Sequence, residues 1–181
     1  YYPAYIKPSK KLLTNENFSF VITTKNVEEY ISLIDPKLTG FNYSTITGRI
    51  NTKENLLDLN ADVPQFNYKN LAFHDVKLNA TGTYNNLSLQ TDIANVYIND
   101  SLNFPGTSIK LNSANDQSDI NIKTSANQTL NAANITAKVQ TLPDGARIRF
   151  QESNFDVNGK NWIIEKNGEL VLSKDLLSAE G

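Results

Sequence analysis

From Leu38 onward, apolar and polar residues alternate with a period of two. This is the pattern of strands whose successive side chains point to opposite faces of a sheet. Leu57, Leu59, Ala61 and Val63 share one face of the first clear run, and Val76, Leu78 and Ala80 form the next. Leu87, Leu89 and Ile93 follow, then Val96 and Ile98. Ile109/Leu111, Ile120/Ile122, Ile135/Ala137/Val139, Ile148/Phe150, Phe155/Val157, Trp162/Ile164 and Leu170/Leu172 carry the alternation toward the end. The intervening positions are Asp, Asn, Lys, Thr, Ser and Gln, so one face is apolar and the other wet.

Turn residues separate these runs at intervals of roughly ten residues. They are Tyr84-Asn85-Asn86, Asn103-Phe104-Pro105-Gly106, Asn115-Asp116-Gln117, Pro143-Asp144-Gly145, Asn158-Gly159 and Asn167-Gly168. The two Asn-Gly pairs suit type I′ turns, which need positive φ at both central residues. Hairpin after hairpin predicts an all-β, antiparallel meander. One segment departs from it: Val27, Tyr30, Ile31 and Ile34 follow helical spacing, with Asn26 placed to cap and Asp35-Pro36 to stop. A helix over 26–34 is too short to stand alone and is expected to dock. The stretches "ITGRINTKENLLDLNADV" and "ATGTYNNLSLQTDI" share a Thr-Gly, turn and alternating-aliphatic pattern, a faint repeat that fits an elongated stack. No break in composition divides residues 1–181, which read as one fragment of a longer repetitive β-domain.

Composition narrows the chemistry. The net charge is -2 with cationic residues scattered singly, so there is no basic footprint for nucleic acid. About one residue in seven is Asn, and Cys is absent, which removes disulfides, thiolate metal sites and cysteine nucleophiles. His74 is the lone histidine and lies in no ligand spacing. Asp75 or Asp92 would have to orient it in a catalytic dyad, and a polar strand-end residue facing solvent is the plainer reading. Asn115, Asp116 and Asp119 offer oxygen ligands without the EF-hand spacing, so a solvated turn is expected rather than a calcium site. No nucleophile-elbow, phosphate-loop or dinucleotide motif occurs, and neither catalysis nor a cofactor is expected. Trp162, in "NGKNWIIEKNGEL", reads either as the largest core residue of its strand or as a sugar-stacking platform.

The stretch "LIDPKLTGFNYSTITGRINTKENLLDLNADVPQFNYKNLAFHDVKLNATGTYNNLSLQTDI" resembles the repeated region of the TamB/AsmA-like family. The resemblance is carried by the short helix with Asp-Pro, by a strand ending in a Gly-x-Leu/Ile turn, and by Tyr68, Leu71, Asp75, Val76 and Leu78. Ser153, Phe155, Val157, Gly159 and Trp162 resemble a second phrase of that family. What the resemblance implies is a sharply curved open sheet forming a trough, the β-taco. It would belong to a periplasmic protein anchored in the inner membrane, associated with phospholipid transport and with outer-membrane protein assembly alongside an outer-membrane barrel protein. The expected groove lining is Leu57, Leu59, Val76, Leu78, Leu87, Leu89, Ile93, Ile109, Leu111, Ile120, Ile122, Ile135, Val139, Ile148, Phe150, Phe155, Val157, Trp162, Leu170 and Leu172, holding phospholipid acyl chains. Edge-to-edge self-association is expected where such a sheet is left open. The alternative is a β-sandwich carbohydrate-binding or adhesin module, in which the same aliphatic face is a sealed core.

Overall fold

The computed structural model describes residues 15–99, 102–125, 130–157, 159–164, 166, 168–173 and 177–180. In chain order these form β1 (Asn17–Thr23), α1 (Glu28–Ile34), β2 (Leu38–Gly40), β3 (Thr45–Asn51), β4 (Leu56–Tyr68), β5 (Leu71–Gly82) and β6 (Asn86–Asn99). Then come β7 (Leu102–Ala114), β8 (Gln117–Thr124), β9 (Leu130–Leu142), β10 (Gly145–Phe150), β11 (Ser153–Val157), β12 (Lys160–Ile164), β13 (Glu169–Ser173) and β14 (Leu177–Glu180).

All fourteen strands belong to one antiparallel sheet with the path β1-β3-β4-β5-β6-β7-β8-β9-β10-β13-β14. Its two ends are not paired to each other, so the sheet is open and does not close into a barrel. At about 4.8 Å per strand the path extends about 50 Å. The predicted all-β class and meander hold for most of this length.

The meander fails in two places, for one reason: a long strand offers more edge than its short neighbour covers. β2 and β3 lie end to end along one edge of β4, pairing with 66–68 and 56–62 respectively. β10 and β11 likewise share an edge of β9, and among the described residues β12 pairs only with β11. β13 therefore returns to β10, not to β12. This corrects the hairpin turn expected at Asn167-Gly168, of which Asn167 lies outside the described residues.

Local chemistry explains which turns formed. Asn115 and Asp116 have φ of 51° and 62° and join β7 to β8 as a two-residue hairpin loop. Both tolerate the left-handed region. Pro143 and Asp144 turn as expected. Asn103-Phe104-Pro105-Gly106 does not: it lies inside β7. α1 is also shorter than expected, beginning after Val27, and Asn26 does not cap it. Instead Asn42 Oδ1 accepts the Val27 N–H at 2.8 Å. Its docking is slight: Val27 and Ile31 are half-buried, while Leu33 and Ile34 are 82% and 79% exposed.

A crease crosses the middle of the long strands. The pairings β4–β5, β5–β6 and β6–β7 each skip one opposed pair without changing register, and the skipped residues form one row: Pro64, Asp75, Ala94 and Gly106. Asp75 and Gly106 have φ of 50° and 59°. At this row the alternation loses step. Val63, Val76 and Ile93 are buried, and Phe66, Phe73 and Val96, each three positions away, pack into the same cluster with Phe41, Ala61 and Ile109. A flat strand sends residues three apart to opposite faces. Here the strands bend instead, so both arms present apolar side chains to the inside.

The crease continues into the gap between β3 and β2. Thr24 Oγ1 donates to the Phe41 carbonyl and accepts the Ser44 N–H at 2.8 Å. Ser44 is fully buried. The corresponding break between β10 and β11 is tied by Ser153, also fully buried, whose Oγ accepts the Thr136 N–H at 2.9 Å and donates to the Gln151 carbonyl at 2.9 Å. Small hydroxyl side chains thus satisfy backbone groups where the ladder stops.

Stability is expected to concentrate at the crease. Ile93→Ala, at a residue 5% exposed, is expected to lower the unfolding free energy by about 3 kcal/mol. Ile122→Ala, on the half-exposed part of the same face, is expected to cost about half as much or less. Urea denaturation of the two variants measures the difference.

Candidate functional site

Directly opposed residues of neighbouring strands share a face, so the register traces the apolar side of the sheet. One row runs Ile22, Ile46, Ala61, Leu78, Thr91, Ile109, Ile122, Ile135. Its neighbour runs Phe20, Gly48, Leu59, Ala80, Leu89, Leu111, Ile120, Ala137, Phe150. A third holds Phe18, Ile50, Leu57, Gly82, Leu87, Ser113, Ser118, Val139, Ile148 and Leu170. Val63, Val76, Ile93 and Thr107 form the row beside the crease, while Ala133, Phe155 and Trp162 are aligned farther along. Leu172 joins this face opposite Ala146.

Every side chain expected to line the groove therefore falls on one face, apart from Val157, whose side chain lies outside the described residues. None of the rows contains an Asp, Glu, Lys or Arg. The polar members are the hydroxyls of Thr91, Thr107, Ser113 and Ser118: Ser113 and Ser118 oxygens are 2.7 Å apart, and Thr107 Oγ1 donates to the Phe104 carbonyl at 3.1 Å.

Several members escaped the sequence reading. β1 was missed although Phe18, Phe20 and Ile22 alternate cleanly. The Phe20 ring lies over Gly48, where an added Cβ would stand 2.3 Å from a ring carbon. Phe41, Phe66 and Phe73, stacked at 4.9 and 4.5 Å between centroids, were missed because the crease puts them out of phase.

The face is only partly covered. Beside the crease Val63, Val76 and Ile93 are buried, but Leu57, Leu59, Leu89, Leu111, Ile120, Ile122 and Ile135 are half-buried. Trp162 is 55% exposed and lies parallel to Phe155, with centroids 6.4 Å apart. This corrects the reading of Trp162 as a core residue. The sealed double layer of a sandwich is not what the described strands form: they make one sheet.

The opposite face carries the charge. One row runs Arg49, Asp58, Thr81, Ser88, Asn112, Asp119, Lys138, Arg149, Glu169. Asp62, Lys77 and Asp92 align in another. Asn79 donates to Asn60 Oδ1 at 2.6 Å, an amide bridge between β5 and β4. Clefts open on this face, one of about 350 Å³ between Thr47, Asn60, Asn79 and Gln90. Another, about 810 Å³, lies at the hairpin ends by Thr81, Ser88, Asn112 and Asn115. Glu169 accepts from Arg149 Nε at 2.6 Å and meets Arg147 Nε at 2.9 Å. The hydrogen bond from Arg149 is the main cause that holds its carboxyl below the usual 4.5; desolvation comes next and opposes it, and the fields of Arg149 and Arg147 and the Arg147 hydrogen bond add to the lowering.

The remaining chemical candidates do not assemble. His74 is half-buried, edge-on to Tyr97 at 5.1 Å, rather than solvent-facing at a strand end. Asp92 accepts from Gln90 at 3.0 Å. Asn115 and Asp116 make the hairpin loop, and Asp119 pairs with Lys138 at 3.6 Å. Among the described residues no three His, Cys, Asp or Glu side chains cluster to hold a metal ion, and no helix is long and apolar enough to cross a membrane.

No family model matches the chain, and no curated protein or solved structure matches it either. The fold and the site rest on their own geometry.

The Arg147–Glu169–Arg149 cluster joins β10 to β13. Because the Glu169 pKa is lowered in the folded chain, its contribution is full above the unfolded value and is lost as pH falls through the folded one. Acid is therefore expected to loosen the β10–β13 pairing below about pH 4.5, and Glu169→Gln is expected to remove that part of the pH dependence. Amide exchange across β10 and β13 at stepped pH measures it.

Proposed function

We propose that this chain is a non-enzymatic segment of a lipid-conducting trough, of the kind the TamB/AsmA-like resemblance implies. The single observation that carries the reading is the charge-free, mostly apolar face: an open surface spanning most of the sheet and only half-covered by the protein itself. Shielding one methylene of an acyl chain there is worth about 0.8 kcal/mol. The charged rows on the other face keep the sheet wetted. In this reading the full-length protein is anchored in the inner membrane, reaches through the periplasm, and works with an outer-membrane barrel protein. Its cargo is the hydrocarbon portion of phospholipid.

The exposed indole of Trp162 favours a second reading, a carbohydrate-binding or adhesin surface built on one sheet. A lone tryptophan stacked on Phe155 at one end serves a sugar ring, whereas the lipid reading uses the whole face.

Solvent extraction and mass spectrometry of the purified chain are expected to find phospholipid. Leu89→Asp and Ile122→Asp, both at half-buried positions, are expected to lower the lipid per chain by about tenfold while the strand content by circular dichroism persists. A chain free of lipid that binds glycans, with binding lost in Trp162→Ala, overturns the lipid reading in favour of the second.

A further inference from the structure

We infer that Asp75 and Gly106 are positioning residues that fix the width of the apolar site by creasing the sheet, an inference that rests on the proposed lipid reading for its functional half only. Three observations converge on the row Pro64–Asp75–Ala94–Gly106. The ladder skips this row in three successive pairings at constant register. Two of its four residues have left-handed φ. On its two sides Val63 and Phe66, Val76 and Phe73, and Ile93 and Val96 pack into one cluster.

The residue types fit this role. Asp is among the few side chains that tolerate the left-handed region, and Gly adopts it freely. At Gly106 an added Cβ would also meet Ser125 Oγ at 2.9 Å. Pro64 is at home there because a skipped pair asks no N–H of it. Straightening the row would restore simple alternation, carry Phe66 and Phe73 to the charged face, and open the narrow side of the trough.

The chain has no cysteine, so paired nitroxide labels at Asn70→Cys and Thr81→Cys report the bend of β5 directly. A straight strand spans about 37 Å between those Cα atoms. The unsubstituted background is expected to give a shorter distance by electron-electron double resonance. Asp75→Val, β-branched and unsuited to positive φ, is expected to lengthen it toward the straight value and to lower co-purified phospholipid several-fold. Asp75→Asn and Asp75→Gly are expected to keep both the short distance and the lipid. A distance that Asp75→Val leaves unchanged, or that Asp75→Asn lengthens equally, overturns the crease. A lengthened distance with unchanged lipid overturns its role in the site while sparing the lipid reading. Lipid absent from every form, with the distances behaving as expected, overturns the lipid reading and leaves the crease standing. Should Asp75→Val fail to fold, Gly106→Val read through the same label pair carries the test.

Discussion

A strand that alternates apolar and polar side chains is committed to one register, because a slip of a single residue exchanges its two faces. Here that commitment is repeated across strand after strand. In β4 to β6 a slip would carry Asp58, Asp62, Lys77 and Asp92 onto the apolar side. Removing even one such charge from water without a partner costs several kcal/mol. The register is pinned at points along the ladder as well. The left-handed Asn115-Asp116 loop fixes β7 against β8, the Asn79–Asn60 amide bridge ties β5 to β4, and the Phe20 ring over Gly48 locks β1 to β3. A face free of charge across the sheet follows from this one constraint.

The crease is the place where the constraint is relaxed, and it is relaxed without cost to the register. A bulge adds a residue and shifts all later pairs. The skipped row adds none: the same partners resume beyond it, but their side chains have changed phase. The result is two arms that share an inside, with aromatic rings from the shorter arm packed on aliphatic side chains from the longer. Where neighbouring strands are too short to bend, the chain breaks instead. Buried Ser44 and Ser153 stand at those breaks, one just before β3 and the other at the start of β11.

Much of this was legible in the sequence. Period-two alternation located the strands from β4 to β13, and the face each residue occupies follows from its parity. What could not be read was anything set by strand length or backbone handedness. Pro105-Gly106 looks like a turn, because turns also use proline and a positive φ. Only the pairing of β6 with β7 reveals a bend inside a strand. Phe66 and Phe73 have the wrong parity for the apolar face until the crease is known. The return of β13 to β10 depends on β9 exceeding β10 in length, a property of the assembled ladder. Trp162 defeated the expectation that the largest apolar side chain is buried, because β12 lies at the margin of the sheet with β11 as its one partner among the described residues.

The character of the apolar face constrains what can cover it. A ligand held in one pose needs polar groups placed to receive its own, and this face offers few: Thr91 is buried, and the others are already bonded. The Ser113–Ser118 pair bonds internally, as does Thr107 with the Phe104 carbonyl. What remains is aliphatic surface with aromatic side chains at the crease, on β1 and β10, and at the β11–β12 margin. Such a surface rewards burial in proportion to area and is indifferent to orientation. A rigid polar ligand would lose its hydration there and gain nothing directional in return. A hydrocarbon chain loses nothing polar, gains with each methylene shielded, and finds neighbouring rows nearly equivalent as it moves along them. Lack of a unique pose, a defect in a binding pocket, is the property a conduit requires.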